Sequence, residues 1–368
     1  MQPVSIQLPG GTHRDYGAVG AERSRHPAGV YRVSHRDRRG GGDVFLAASE
    51  SPGLMRRIIS VLLCLFGLAA PVAAELTPDT LSTIQHLAIQ HNGRNKPFDS
   101  FAREAVALLS GTSGTSPLTR AHPVEAILSM VAEPEQWQDA PIIAVPFRPL
   151  REALGMDPAA SHISYNELIA TRALMRRLPA IVEKEQRDEP LTLIDNETMD
   201  VYQRFVLLNR LFEQDLALVP SASVASPAWL SILNLEGYPK KQQKRLREAW
   251  MSLIEAWREQ AFRRIESGAS YLSALLRAQY PEAYPTQERL NLEVTYNQLE
   301  PFRLAQYAYW FAAVLLLLGL SLRKVHIGFG IGALCAGLAL HGGGIALRVI
   351  LGGRPPVSNF FETMLWLP

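Results

Sequence analysis

Cysteine is almost missing from this chain. Its 368 residues hold two, Cys64 and Cys335, both inside apolar stretches. Two isolated thiols make no Cys-x-x-Cys pair, no zinc-ligand spacing and no disulfide framework. A thiol oxidoreductase working through its own cysteines is therefore excluded. So is a c-type cytochrome, because the Cys-x-x-Cys-His attachment site is lacking. An excess of one charge is lacking too. Lys and Arg total 37 against 35 Asp and Glu, a net +2, so no basic surface argues for nucleic acid, and no nucleic-acid partner is expected. Phosphate-cradling glycine loops, Ser/His/Asp arrangements and paired catalytic carboxylates do not stand out. No catalytic residue is assigned.

What is present is ordered along the chain. Residues 1–54 are rich in Arg, Gly, His and Ser. A run such as Arg36-Asp37-Arg38-Arg39-Gly40-Gly41-Gly42 cannot bury enough apolar surface to offset chain entropy. This leader is either disordered or the product of a start codon assigned too early. Met55-Arg56-Arg57 then opens an export signal over 55–74. Two arginines precede the apolar run Ile58–Ala70, too short to span a bilayer, and Pro71-Val72-Ala73-Ala74 supplies small residues for a cut before Glu75. Cys64 follows Leu63 where a lipoprotein signal needs a small residue, so no lipidation is expected there.

The segment 75–301 reads as an extracytoplasmic, mainly helical domain. Phe98, Phe101, Ala105 and Leu108 recur at helical spacing, with Asp99 as the cap. Val124, Ile127, Leu128 and Val131 repeat the pattern behind Pro123. Ser164-Tyr165-Asn166-Glu167 is a capping-box sequence. Val201, Phe205, Leu208 and Phe212 form another stripe. Leu246, Trp250, Leu253, Trp257 and Ile265 line one longer helix, with Lys240–Arg247 on its solvated face. Pro141–Phe147 fits a short strand, and Pro220–Pro227 a Ser/Ala linker. Trp250 and Trp257 fit a ligand platform or, more commonly, core packing. His86, His91, His122 and His162 are scattered as surface or cap residues rather than metal ligands.

The segment 302–368 reads as the membrane region, with spans at about 304–322 and 327–351 and a third beginning at about 360. Each of the first two reaches the roughly 20 residues that a helix needs to cross. Tyr307, Tyr309 and Trp310 sit where amphipathic rings favour the interface, and Arg323-Lys324 between the spans favours the cytoplasm. The domain then faces outward, in the inner (cytoplasmic) membrane with its bulk periplasmic. The fold class expected is mainly α: an exported helical domain followed by two transmembrane helices. Gly337, His341, Gly344 and Arg348 share one face of the second span. At ~1.5 Å per residue His341 lies roughly 21 Å beyond Ile327, past the middle of the ~30 Å hydrocarbon core. A histidine there fits an axial ligand to haem or a polar tie between helices. Arg348 fits a haem propionate contact or snorkelling to the headgroups.

Three stretches together resemble one family. Asn92-Gly93-Arg94-Asn95-Lys96-Pro97-Phe98-Asp99-Ser100-Phe101-Ala102-Arg103-Glu104 resembles a segment of fused cytochrome c biogenesis proteins. Asn291-Leu292-Glu293-Val294-Thr295-Tyr296-Asn297-Gln298-Leu299-Glu300-Pro301-Phe302-Arg303 resembles the stretch before their first CcsA-side span. Gly353-Arg354-Pro355-Pro356-Val357-Ser358-Asn359-Phe360-Phe361-Glu362 resembles the signature of the CcsA/ResC family, with Phe where Tyr is common. In that signature Arg354-Pro355-Pro356 makes a rigid corner, and Ser358 or Asn359 caps the next helix with Glu362 in its first turn.

The resemblance implies the N-terminal part of a System II cytochrome c maturation protein (fused ResB/CcsA-like type), stopping before that family's tryptophan-rich WWD segment. It implies haem as the bound group, with His341 as the sole intramembrane candidate for a ligand to its iron. It also implies membrane lipid, apocytochrome c and other maturation subunits as partners. Any enzymatic role is a share in a cytochrome c haem lyase assembly. The alternative is a membrane-anchored extracytoplasmic helical binding protein with no haem role.

Overall fold

The computed structural model describes residues 78–111, 118, 121–221, 228–279, 281–322 and 327–352. The expected leader and export signal, most of the Pro220–Pro227 linker, the Arg323-Lys324 loop, and Arg354, Pro355, Pro356, Ser358, Asn359 and Glu362 lie outside the described residues.

The chain runs α1 (Pro78–Gln85), β1 (Ala88–His91), β2 (Arg94–Pro97), α2 (Phe98–Ser110), α3 (Pro123–Ala132), β3 (Ile143–Ala144), α4 (Arg148–Leu154), β4 (His162–Ile163), α5 (Tyr165–Thr171), α6 (Ala173–Gln186) and α7 (Leu193–Phe212). It continues through β5 (Ala217–Val219), β6 (Leu230–Ser231), α8 (Lys240–Arg258), α9 (Phe262–Gln279), α10 (Gln287–Leu299), α11 (Pro301–Leu322) and α12 (Ile327–Gly352). The fold is mainly α. The strands form three two-stranded antiparallel ladders. Such ladders are marginal alone and persist here because they pack on helices.

The core gathers around α3. This helix starts at Pro123, whose missing N–H costs nothing at a first helical position, and buries Val124, Ile127, Leu128, Met130 and Val131. Phe98, Phe101 and Leu109 of α2 pack beside it, as do Trp250 and Leu253 of α8. Trp250 is a core residue: it is 1% exposed and its indole donates to Gln214 Oε1 at 2.9 Å. Ser164 and Glu167 form the expected capping box at α5. A second capping box, Thr192 with Asp195, starts α7 and is braced by Lys184 Nζ at 2.7 Å. The basic run Lys240–Arg247 lies on the exposed face of α8 except for Leu246.

Two local expectations change. Asp99 is not the cap of α2; extended Pro97 holds that position without a side-chain bond, and Asp99 turns inward, fully buried. The long helix through Ile265 is two helices. Gln260, in the left-handed region at φ 51°, folds α9 back so that Gly268 lies against Leu253. Residues 88–97, for which no element is expected from the sequence, form a hairpin. Asn92 (φ 52°) and Gly93 (φ 72°) make a two-residue turn with positive φ at both centres, which Asn-Gly adopts readily.

α11 and α12 are long and apolar enough to cross a membrane. They expose Leu317, Leu320, Phe329, Leu338 and Ile350, a surface suited to lipid rather than water. The two helices pack antiparallel at a fixed register. A Cβ on Gly330 would come within 2.7 Å of Leu316, one on Gly337 within 2.7 Å of Tyr309, and one on Gly344 within 3.3 Å of Phe302. Each seven-residue step along α12 is thus met by seven back along α11. That 3.5-residue period keeps one seam facing the partner, and the missing side chains let the backbones approach.

Gly337→Leu is expected to force the helices apart, costing about 1–3 kcal/mol by overpacking. Gly332→Leu, at a site with nothing within 4 Å, is expected to be neutral. Denaturant titration of the full chain in detergent compares the two, and equal stability of both variants contradicts the register.

Candidate functional site

Two of the three resemblance stretches, nearly 200 residues apart, meet in one buried polar knot. The β1–β2 hairpin delivers Arg94, and the first turns of α2 deliver Asp99, Ser100 and Arg103. α10, the helix that leads into the apolar pair, delivers Glu293 and Asn297. Ser100 Oγ donates to Glu293 Oε1 at 2.7 Å, and the Arg94 guanidinium pairs with the same carboxylate. Asn297 Nδ2 donates to Asp99 Oδ2 at 2.9 Å and to Ser100 Oγ at 2.8 Å. Arg103 Nε donates to Asp99 Oδ2 at 2.9 Å. Asp99 is 0% and Glu293 4% exposed.

Unpaired carboxylates at that depth would cost several kcal/mol each. Here each has its own arginine, and Asn297 bridges the two halves. The arrangement serves as a clamp: most of its polar atoms engage one another, while Asp99 Oδ1 and Arg94 Nε have no hydrogen-bond partner.

One acceptor stays open. Asp99 Oδ1 has no hydrogen-bond partner, and His122 Nε2 lies 4.0 Å from it. His122 caps α3, its Nδ1 accepting from Val124 N at 3.3 Å, and its Nε2 lies 3.3 Å from Gln85 Nε2. The cap at Nδ1 and the contact of the Gln85 amide with Nε2 draw on opposite tautomers of the neutral ring. Burial lowers the His122 pKa below its ordinary 6.5; Asp99 opposes this and Arg103 reinforces it.

Beside the clamp, buried Lys96 donates to Glu104 Oε2 at 2.6 Å, with His91 Nδ1 3.8 Å from the same oxygen. Burial raises the Glu104 pKa, but the bonds and charges of His91 and Lys96 outweigh it and leave the carboxyl below its ordinary value. On the far side of α10 an open cleft of about 540 Å³ is lined by Ser82, His86, Ser273, Asn291, Thr295 and Gln298. These are hydroxyl, amide and imidazole groups without formal charge. Among the described residues no group of three or more His, Cys, Asp or Glu is placed to hold a metal ion.

The expected face of α12 is drawn together. Gly337 and Gly344 lie in the seam with α11, and His341 sits between them. Its ring lies 5.4 Å from that of Phe302, edge-on, and 6.1 Å from that of Tyr309. The imidazole is exposed on the flank of the helix pair. Arg348 lies further along; burial raises the pKa of Tyr296 on α10, and the charge of Arg348 opposes that rise.

The sequence reading missed the pairing of Glu293 and Asn297 with Asp99 and Ser100. A signal for half of it exists: Asp99 and Ser100 fall between Phe98 and Phe101 at the start of an otherwise inward-facing helix. Nothing local names their partners.

No protein-family model matches this chain. Among curated proteins, Protein NrfI of Wolinella succinogenes is 28% identical to it over 295 residues, covering 75% of this chain and 31% of that protein. The chain therefore spans about a third of the length of this curated relative.

Glu293→Ala strands Arg94 and Ser100 and is expected to destabilise the full chain by about 3 kcal/mol, the low end for a broken buried pair because Arg94 is partly exposed. The pH dependence has its own sign. A histidine whose folded pKa is depressed stabilises fully above its unfolded pKa, and that contribution is lost as pH falls from there towards the folded value. Stability is thus expected to decline below about pH 6.5, the ordinary histidine value. His122→Asn, which keeps a capping side chain, should flatten that decline while matching wild type at pH 7.5. Melting curves across pH 5–8 read both effects.

Proposed function

We propose that this chain acts in cytochrome c biogenesis, as the haem-handling part of a CcsA/ResC-like System II assembly. In this reading it presents haem for covalent attachment to apocytochrome c. The domain is held outside the inner membrane, exported by the signal over 55–74, and α11 and α12 cross the bilayer with both ends of the pair on the domain's side. The observation that carries the proposal is the clamp. The two stretches resembling fused cytochrome c biogenesis proteins are the ones that interlock, at the helix entering the membrane. The similarity to NrfI over three quarters of the chain supports the same reading.

Haem is the cargo here, and the helix pair has groups suited to it. A neutral imidazole is a good donor to haem iron, and His341 is exposed between two aromatic rings. Gly342 and Gly343, next to it in the chain, have nothing within 4 Å and leave open space for a flat macrocycle. When bound, haem supplies the vinyl groups and iron for attachment. His341 would hold the iron, Phe302 and Tyr309 would line the approach, and Arg348 would provide a cation for a propionate. The rival reading, an extracytoplasmic binding protein with no haem role, draws on the uncharged cleft beside α10.

Deletion of the gene is expected to abolish covalently bound haem in c-type cytochromes of the host, read by peroxidase staining of denaturing gels. The intact reading frame restores it. His341→Ala restores about a tenth or less, since loss of a direct ligand should cost at least what outer-shell changes cost. Normal cytochrome content in the deletion strain overturns the proposal and favours the rival.

A further inference from the structure

Two glycines bracket His341 along α12: Gly337 four residues before it and Gly344 three residues after. Both lie in the seam with α11, and each seats an aromatic ring. A Cβ on Gly337 would come within 2.7 Å of two carbons of the Tyr309 ring, and one on Gly344 within 3.3 Å of the Phe302 ring. Phe302 and Tyr309 are seven residues apart on α11, as the two glycines are on α12. The seam therefore fixes one ring at the level of each glycine, with the imidazole between those levels.

The imidazole meets both rings. It lies 5.4 Å from Phe302 with the ring planes at 78°, and 6.1 Å from Tyr309 with the planes at 47°. Both separations fall within the range where aromatic rings attract, and an edge-to-face pair is favoured because a positive ring edge meets a negative ring face. An exposed side chain on a helix otherwise exchanges among staggered positions. Two flanking rings favour the position that keeps both contacts. The residues next to His341 in the chain do nothing of the kind. A Cβ on Gly342 or Gly343 would meet nothing within 4 Å, so the orientation of the imidazole comes across the seam, from α11.

We propose that Phe302 and Tyr309 are positioning residues that hold the His341 imidazole in one orientation on the exposed flank of the helix pair. Gly337 and Gly344 position it in turn, by seating those two rings. The imidazole is thus open to solvent or lipid and already aimed, so a metal bound by it meets a nitrogen at a set angle and no loose side chain has to be ordered on binding. This deepens the haem-handling reading by naming what aims the iron-binding group, and it rests on that reading only for its purpose.

The test reads the imidazole without haem. The full chain, isotope-labelled at histidine, is embedded in phospholipid, and the order of each imidazole is measured by magic-angle-spinning NMR, with His341→Gln assigning the signal. One ordered set of signals is expected for His341. Phe302→Leu keeps bulk in the seam but removes the ring, and it is expected to raise the population of other side-chain positions about two- to tenfold, the worth of one aromatic pair. Phe302→Tyr is expected to restore the wild-type order. Gly337→Ala, which drives the Tyr309 ring from its seat, is expected to act in the same direction as Phe302→Leu. Gly343→Ala, nearer to His341 in the chain, is expected to leave the signal unchanged. Unchanged His341 order in Phe302→Leu overturns the positioning, whatever Gly337→Ala does. Equal loss of order in Gly343→Ala and Gly337→Ala overturns the part given to the seam. Because the sample holds no haem, normal cytochrome content in the deletion strain would sink the haem-handling reading and leave the positioning standing.

Discussion

Burying two carboxylates is the constraint from which the rest of this architecture follows. Asp99 and Glu293 are both out of water; the first is tolerable only while Arg103 and the amide of Asn297 stay in place, the second only while Arg94 and Ser100 do. Apolar surfaces can slide past one another at little cost. A matched set of charges cannot, because any shift leaves a buried charge alone. The position of α10 against α2 is thereby specified, and with it the start of the helix pair that α10 leads into.

That helix pair is specified by a different force. Between helices with lipid around them the hydrophobic effect gives no preference for contact, and close packing decides. Gly330, Gly337 and Gly344 each take the side chain of a facing residue, so the register of α12 on α11 is set by three absences of a Cβ. His341 falls within this seam's length and meets two aromatic rings. The polar clamp and the glycine seam therefore end on neighbouring residues, Asn297 and Phe302, with only Glu300 and its flanks between them. The carbonyl of Leu351, bonded to Arg289, closes the loop between the two devices.

Much of this was legible where the relevant forces are local. α3, α5 and α7 follow from apolar spacing and from caps within three residues of the helix start, and the two apolar spans follow from length alone. The face carrying Gly337, His341, Gly344 and Arg348 follows from helical geometry. Errors arose where a local sign had two meanings. Asp99 is a short acid at a helix start, a good cap by type, yet Pro97 already holds the extended position and leaves the carboxylate to turn inward. The stripe from Leu246 to Ile265 keeps an apolar rhythm through a break, because both helices of a folded-back pair bury one face in the same core.

From the amino-acid order alone come the mainly helical class, the long apolar helices, and the four residues that share a face of α12, since periodicity and length are properties of neighbouring residues. The pairing of Asp99 and Ser100 with Asn297, of Arg94 with Glu293, and of Phe302 with His341 came only with the folded chain. A contact between residues far apart in sequence leaves no periodic trace, and its energy exists only once the surrounding packing has excluded water from both partners.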